Sequence, residues 1–165
     1  MAALLIGFGN QGRGDDGLGP VFAERIERAA PDGLAIDIDY QLTVDHALAI
    51  ADADLVVFAD AEIGAEGSFS FAPIKAEGAT GMGSHELSPQ AVLTLAKTLY
   101  GRTPPAYLLG IAGWDYGEVK EGLSPEATAH LDEAEAFFLD WYARLSANYA
   151  ATNRAPEETE RLTDA

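Results

Sequence analysis

Six side chains in this sequence are candidates for binding a cation: Asp15, Asp16, Asp60, Glu62, His85 and Glu86. Two carboxylates and one imidazole, drawn as Asp16, Asp60 and His85, offer oxygen and nitrogen donors suited to a borderline divalent ion such as Zn²⁺, Ni²⁺ or Fe²⁺. Each also has an ordinary structural reading. An acid at a helix start, where Asp16 falls, is favourable against the helix dipole alone. Asp60 closes an apolar run, where an acid often caps or turns the chain. His85 sits in GMGSHE, whose small residues let a loop fold tightly over a site. The three come from distant segments, so their spacing alone does not establish a site.

Asp15 and Asp16 belong to GFGNQGRGDDGLG, residues 7–19, which satisfies the dinucleotide fingerprint G-x-G-x-x-G at its start. A pyrophosphate in that fingerprint rests on the amides of the following helix. Two carboxylates at the same place compete for those amides and repel the ligand. Asp37 and Asp39 lie about where a ribose-binding acid is expected, but they alternate with apolar residues as a solvent face would. A dinucleotide-binding domain is therefore the weaker alternative. The sequence has no H-E-x-x-H, no G-x-S-x-G and no P-loop. His46 and His130 fall in helical, charged surroundings and are not selected as ligands. Asp15 is expected to point elsewhere than Asp16, as a capping or supporting group.

The composition narrows the class further. A chain of 165 residues, 48% hydrophobic, suits one domain with a core of its own. A net charge of −17 disfavours nucleic acid and anionic membranes, and would attract a cation or a basic peptide. Without cysteine there is no disulfide, thiolate ligand or cysteine nucleophile. The opening apolar run lacks a basic flank and reads as a strand rather than a signal peptide. A cytoplasmic protein is expected, and a monomer.

The elements that must position these residues follow from periodicity. Strands are predicted over residues 2–6, 34–42, 54–60, 67–74 and 106–112. Helices are predicted over 17–29, 44–51 (capped by Thr43), from Ser88-Pro89 past Leu99, and from Ser124-Pro125 to about 148. Pro73 suggests an edge strand, and the short link before residue 67 leaves room only for an antiparallel turn-back. The alternation predicts an α/β fold: a three-layer α/β/α sandwich with a mostly parallel, about five-stranded sheet. Ligands in such sheets bind beyond the carboxyl ends of the strands, which puts Asp16 and Asp60 in one neighbourhood. Residues 1–149 form the expected domain, and the polar stretch 150–165 is expected to be disordered.

Ile6-Gly7-Phe8-Gly9-Asn10, followed by Arg13-Gly14-Asp15-Asp16-Gly17-Leu18-Gly19, resembles the opening motif of the hydrogenase maturation proteases. These endopeptidases process the large subunit of nickel–iron (NiFe) hydrogenases. Asp54-Leu55-Val56-Val57-Phe58-Ala59-Asp60-Ala61 is similar to the family's apolar strand ending in Asp-Ala or Asp-Gly. Ser84-His85-Glu86-Leu87-Ser88-Pro89 matches its Ser-His loop before a helix. Tyr116-Gly117-Glu118 and Glu121-Gly122-Leu123-Ser124-Pro125 resemble a late Gly-Leu-Ser segment, so the similarity spans residues 1–145.

The resemblance implies a three-layer α/β/α fold and a nickel-recognising site formed by Asp16, Asp60 and His85. The first is often glutamate in the family, and Gly12 replaces a residue that is commonly apolar. The implied substrate is a NiFe-hydrogenase large-subunit precursor, from which a C-terminal extension is removed once nickel is inserted. Nickel would then be recognised in the substrate, the isolated enzyme being largely metal-free. The cation could activate a water on the scissile carbonyl, or only position the peptide. A non-cleaving, nickel-dependent chaperone of the same family is the other reading, disfavoured because all three positions are retained.

Overall fold

The computed structural model describes residues 1–77, 86–117 and 119–154. Its elements run in order: β1 (Ala3–Phe8), a 3-10 turn (Gly14–Gly17), α1 (Leu18–Ala29), β2 (Leu34–Asp39), α2 (His46–Asp52), β3 (Leu55–Glu62), β4 (Phe69–Ile74), α3 (Pro89–Tyr100), β5 (Ala106–Ala112) and α4 (Pro125–Thr152). The strands form one sheet in the order β2-β1-β3-β5-β4. All neighbours are parallel except β4, which returns antiparallel along β5 at the edge. Pro73 therefore sits where its missing N–H costs the sheet least.

Alternation along the strands divides the core into two layers. Leu5, Val57, Leu109 and Ile111 face α1 and α4, packing on Phe22, Ile26, Leu131 and Phe138. Leu4, Ile6, Val56 and Phe58 face the other way, onto Ile50 of α2 and Val92 and Leu93 of α3. Their continuous burial along β1 and β3 is what a central parallel strand covered on both faces requires. Asp60 continues the second alternation, so its side chain leaves the sheet on the α2/α3 side.

β1 feeds α1 to one side of the sheet, while β3 leads away to the other. The crevice between the carboxyl ends of β1 and β3 is thus the topological switch point, where open α/β sheets bind ligands.

Several boundaries differ from the sequence expectation, each for a local reason. The expected helix from residue 17 begins with a separate 3-10 turn, because Arg13 and Asp16 close a tight N–H to C=O bond first. Thr43 does not cap α2; its own N–H donates to His46 Nδ1 instead. β2 stops at Asp39 rather than continuing to residue 42, and β3 runs on to Glu62, so Asp60 lies inside its strand. Leu99 is exposed, and the apolar face of α3 is instead Val92, Leu93 and Ala96. α4 continues to Thr152, beyond residue 149. The remainder of the expected tail, residues 155–165, lies outside the described residues.

Gly7 sits within β1, and a Cβ there would overlap the Gly19 carbonyl oxygen and lie 2.6 Å from the Ala23 Cβ. Its bare backbone lets α1 press against the sheet at this point. Gly7→Ala is therefore expected to destabilise the fold by about 1–3 kcal/mol, the usual cost of overpacking a filled core. Urea denaturation measures it, and an unchanged midpoint would show that α1 can withdraw freely.

Candidate active site

The two adjacent aspartates of the first loop have opposite fates. A 3-10 turn places successive side chains about 120° apart, so Asp15 and Asp16 cannot face the same way. Asp15 is 0% exposed. Its carboxylate accepts from the amides of Trp114, Asp115 and Ser124 and from the Ser124 hydroxyl, all at 2.7 Å. Burial pushes this carboxyl up, but the bonds donated by Asp115, Ser124 and Trp114 together outweigh it and hold it below the usual carboxylate range. The Ser124 hydroxyl in turn accepts from the Ala127 amide, capping α4. Asp15 thus ties the β1–α1 loop to the β5–α4 loop and to the start of α4. The sequence expectation of a capping or supporting role fits this placement.

Asp16 turns instead toward the loop at the end of β1, where its Oδ2 accepts the Asn10 amide at 2.9 Å. Asn10 Oδ1 accepts the Gly12 amide, and its Nδ2 donates to the Tyr40 hydroxyl, bracing the loop from within. The Gly9 and Arg13 amides go to carbonyls of Asp39 and Asn10, and those of Gly14 and Asp15 to carbonyls of Lys120 and Asp115. In a phosphate-binding loop these amides would be free for the ligand. Here protein acceptors take them, and one acceptor is the Asp16 carboxylate. Asp39 does end its strand, contrary to the sequence reading, but its backbone carbonyl is committed to the glycine loop.

Asp16 and Asp60 line one cavity of about 240 Å³ at the switch point, together with Phe8, Gly9, Asn10, Arg13, Tyr40, Gln41, Leu42, Glu86 and Leu87. Arg13 and Tyr40 were not selected from the sequence as site residues. Arg13 was visible in the motif, whereas Tyr40 follows β2 and reaches the loop only through the pairing of β2 with β1.

The Asp60 carboxyl is pushed up to about 7, chiefly by burial. The Ala61 amide, donating to Asp60 Oδ1 at 2.8 Å, opposes this, while the charges of Asp16 and Glu86 add to it. Asp16 and Asp60 each keep one carboxylate oxygen that accepts no hydrogen bond from the described residues. The cavity thus gathers three carboxyl groups, Asp16, Asp60 and Glu86, beside the single guanidinium of Arg13, and a cation entering it would displace the Asp60 proton.

The other candidates distribute differently. Glu62 points along the sheet, accepting the Ser70 hydroxyl at 2.8 Å, and does not line the cavity. His85 lies outside the described residues; Glu86, next to it in the chain, lines the cavity. Among the described residues no group of three or more His, Asp or Glu side chains could by itself hold a metal ion. His46 is buried, with Nε2 at 3.5 Å and 3.7 Å from Asp39 and Asp37, and His130 Nδ1 donates to the Ala112 carbonyl. Both serve the packing of helices on strands.

Two stability outcomes follow from these environments. Asp15→Asn replaces an acceptor pair by a group that must turn a donor toward buried N–H groups, and should cost roughly 2–4 kcal/mol at pH 7. Asp15 contributes fully above its ordinary pKa of 3.8 and loses its effect as pH falls through the lowered folded value. The mutant and wild type should therefore converge in acid. Asp60 has the opposite sign. Its folded pKa exceeds the ordinary value, so its contribution is greatest below pH 4 and is lost as pH rises toward 7. Asp60→Asn should match the wild type near pH 4 and be the more stable above pH 7. Urea midpoints from about pH 2 to pH 8 check both, and a less stable Asp60→Asn at pH 8 would contradict the electrostatic reading.

No protein-family model and no curated protein matches the sequence. Solved structures do match in fold. The hydrogenase maturating endopeptidase HybD from E. coli superposes with a TM-score of 0.70 at 22% identity, over 87% of this chain and 93% of that one. The NiFe-hydrogenase maturation protease HycI from Thermococcus kodakarensis gives a TM-score of 0.64 at 25% identity, over 84% and 90% of the two chains. A hydrogenase 2 maturation peptidase from a Thaumarchaeota archaeon gives 0.63 at 23% identity, over 86% and 98%. These alignments take in nearly the whole of each neighbour, and the chain has the fold of the hydrogenase maturation proteases, the family its motifs resemble.

Proposed function

We propose that this protein is an endopeptidase that removes the C-terminal extension of a NiFe-hydrogenase large-subunit precursor after nickel has been inserted. The observation that carries the reading is the pairing of Asp16 and Asp60 across one cavity at the switch point, with the Asp60 carboxyl raised to about 7. A site that had to bind a neutral or anionic ligand would not leave two carboxylates facing each other. One that receives a cation would, because the charge it lacks arrives with the ligand.

In this reading nickel belongs to the substrate. The second carboxylate oxygens of Asp16 and Asp60, with His85 as the third donor, receive it as the precursor docks. Two carboxylates and an imidazole leave the remaining coordination positions to groups of the substrate itself. The rigid loop around Asn10 holds Asp16 in place, so the metal-bearing segment is positioned before the peptide bond is attacked.

The test is a side-by-side digestion by metal-analysed protein of nickel-loaded and nickel-free precursor, read by intact mass. Cleavage of the loaded form alone is expected. Equal cleavage of both would defeat nickel recognition, and cleavage of neither would defeat the peptidase assignment. Asp60→Asn should remain folded by circular dichroism. It should lose more than the roughly 10–100-fold that loss of an outer-shell partner costs a metal site.

A further inference from the structure

Among the described residues, three large apolar side chains left mostly open to solvent lie on loops after the carboxyl ends of β3 and β5: Val119, 94% exposed, Ile63 and Trp114. Ile63 is 79% exposed and Trp114 is 77% exposed. Each follows the carboxyl end of a central strand, Ile63 after β3 and Trp114 after β5. The Gly113 amide and the Tyr116 hydroxyl both reach the Glu62 carbonyl, which brings the two loops side by side. This apolar rim lies at the same carboxyl end of the strands as Asp60, which is two residues before Glu62 in β3.

The backbone on the Trp114 side of the rim is held in place. The amides of Trp114 and Asp115 both donate to the buried Asp15 carboxylate, and Asp115 is further held by Lys120 at 2.6 Å. The backbone that carries this exposed tryptophan is already ordered, so docking has less chain freedom to remove. Tryptophan side chains are frequent centres of protein–protein contacts.

We propose that Trp114 and Ile63 form a docking surface for the folded body of the substrate protein, separate from the cavity that receives its metal-bearing segment. The inference rests on the proposed function and names how that substrate is held. The partner surface it fits is an apolar patch bordered by lysine or arginine. Glu66 and Glu121, exposed on neighbouring loops, and the net charge of −17 supply the complementary sign. The same charge repels a second copy of this chain, nucleic acid and anionic lipid.

The experiment measures steady-state processing of the nickel-loaded precursor by the wild type, Trp114→Ala, Ile63→Ser and Leu99→Ala. Leu99 is an exposed apolar residue at the carboxyl end of α3, which leads back to the start of β5 at the opposite end of the strands. Trp114→Ala should raise KM roughly 10- to 50-fold with kcat unchanged, as loss of a contact centre does. Ile63→Ser should raise it less, and Leu99→Ala should leave it as it is. The wild-type KM should also rise with salt. Thermal melts check folding; the Trp114 anchor to Asp15 is its backbone amide, so Trp114→Ala should melt with the wild type. A wild type that cleaves, with KM unmoved by Trp114→Ala, would overturn the docking surface and leave the peptidase reading intact. A wild type that does not cleave would defeat the peptidase reading, and this surface with it. Concentration-dependent dimerisation abolished by Trp114→Ala in sedimentation would assign the surface to a second copy and also overturn the proposal.

Discussion

The carboxyl end of the sheet is organised by one buried anion. Asp15 accepts three amides and a hydroxyl, so its charge is stabilised by donors rather than by a counter-ion. Those donors belong to the loop after β5 and to the first turn of α4, about a hundred residues away. Removing the acceptor would leave several buried N–H groups without a partner at once. The constraint reaches the cavity because Asp15 and Asp16 share a 3-10 turn. With Asp15 committed inward to the β5–α4 loop, Asp16 is turned out toward Asn10 and the space in front of Asp60.

The cavity depends on an imbalance that the rest of the fold tolerates. Asp15 is a carboxylate satisfied by hydrogen bonds, and its pKa falls. Asp60 is a carboxyl with one local amide, two like charges nearby and much of its surface buried, and its pKa rises to about 7. The difference between them is not residue type or depth alone but the number of donors supplied. Donors are supplied to one acid and withheld from the other, and the topology puts the second acid at the switch point between β1 and β3.

Glycine shapes the same region in two distinct ways. Gly7 and Gly19 bring α1 close to the sheet, since side chains there would strike backbone on the facing element. Gly9, with φ of 147°, lets the chain leave β1 and direct the Asn10 amide toward Asp16. The resulting match to a dinucleotide fingerprint is geometric in origin. Both kinds of loop need bare backbone near a helix start, but only one leaves its amides free for phosphate.

The alternation of strands and helices, the edge position marked by Pro73 and the caps at Ser88 and Ser124 were all legible in the sequence. They depend on local periodicity and on residues whose backbone chemistry is nearly context-free. The motif order likewise pointed to Asp16 and Asp60 together. Other features depended on which distant segments meet. Nothing near Asp15 in the chain indicates that Ser124 will donate to it. The burial of His46, the exposure of Leu99, the position of Asp60 inside β3 and the apolar rim at Ile63 and Trp114 were settled by packing across the sheet. Periodicity tells which residues share a face; only tertiary structure decides what that face meets, because burial and hydrogen-bond partners are properties of pairs of segments rather than of either alone.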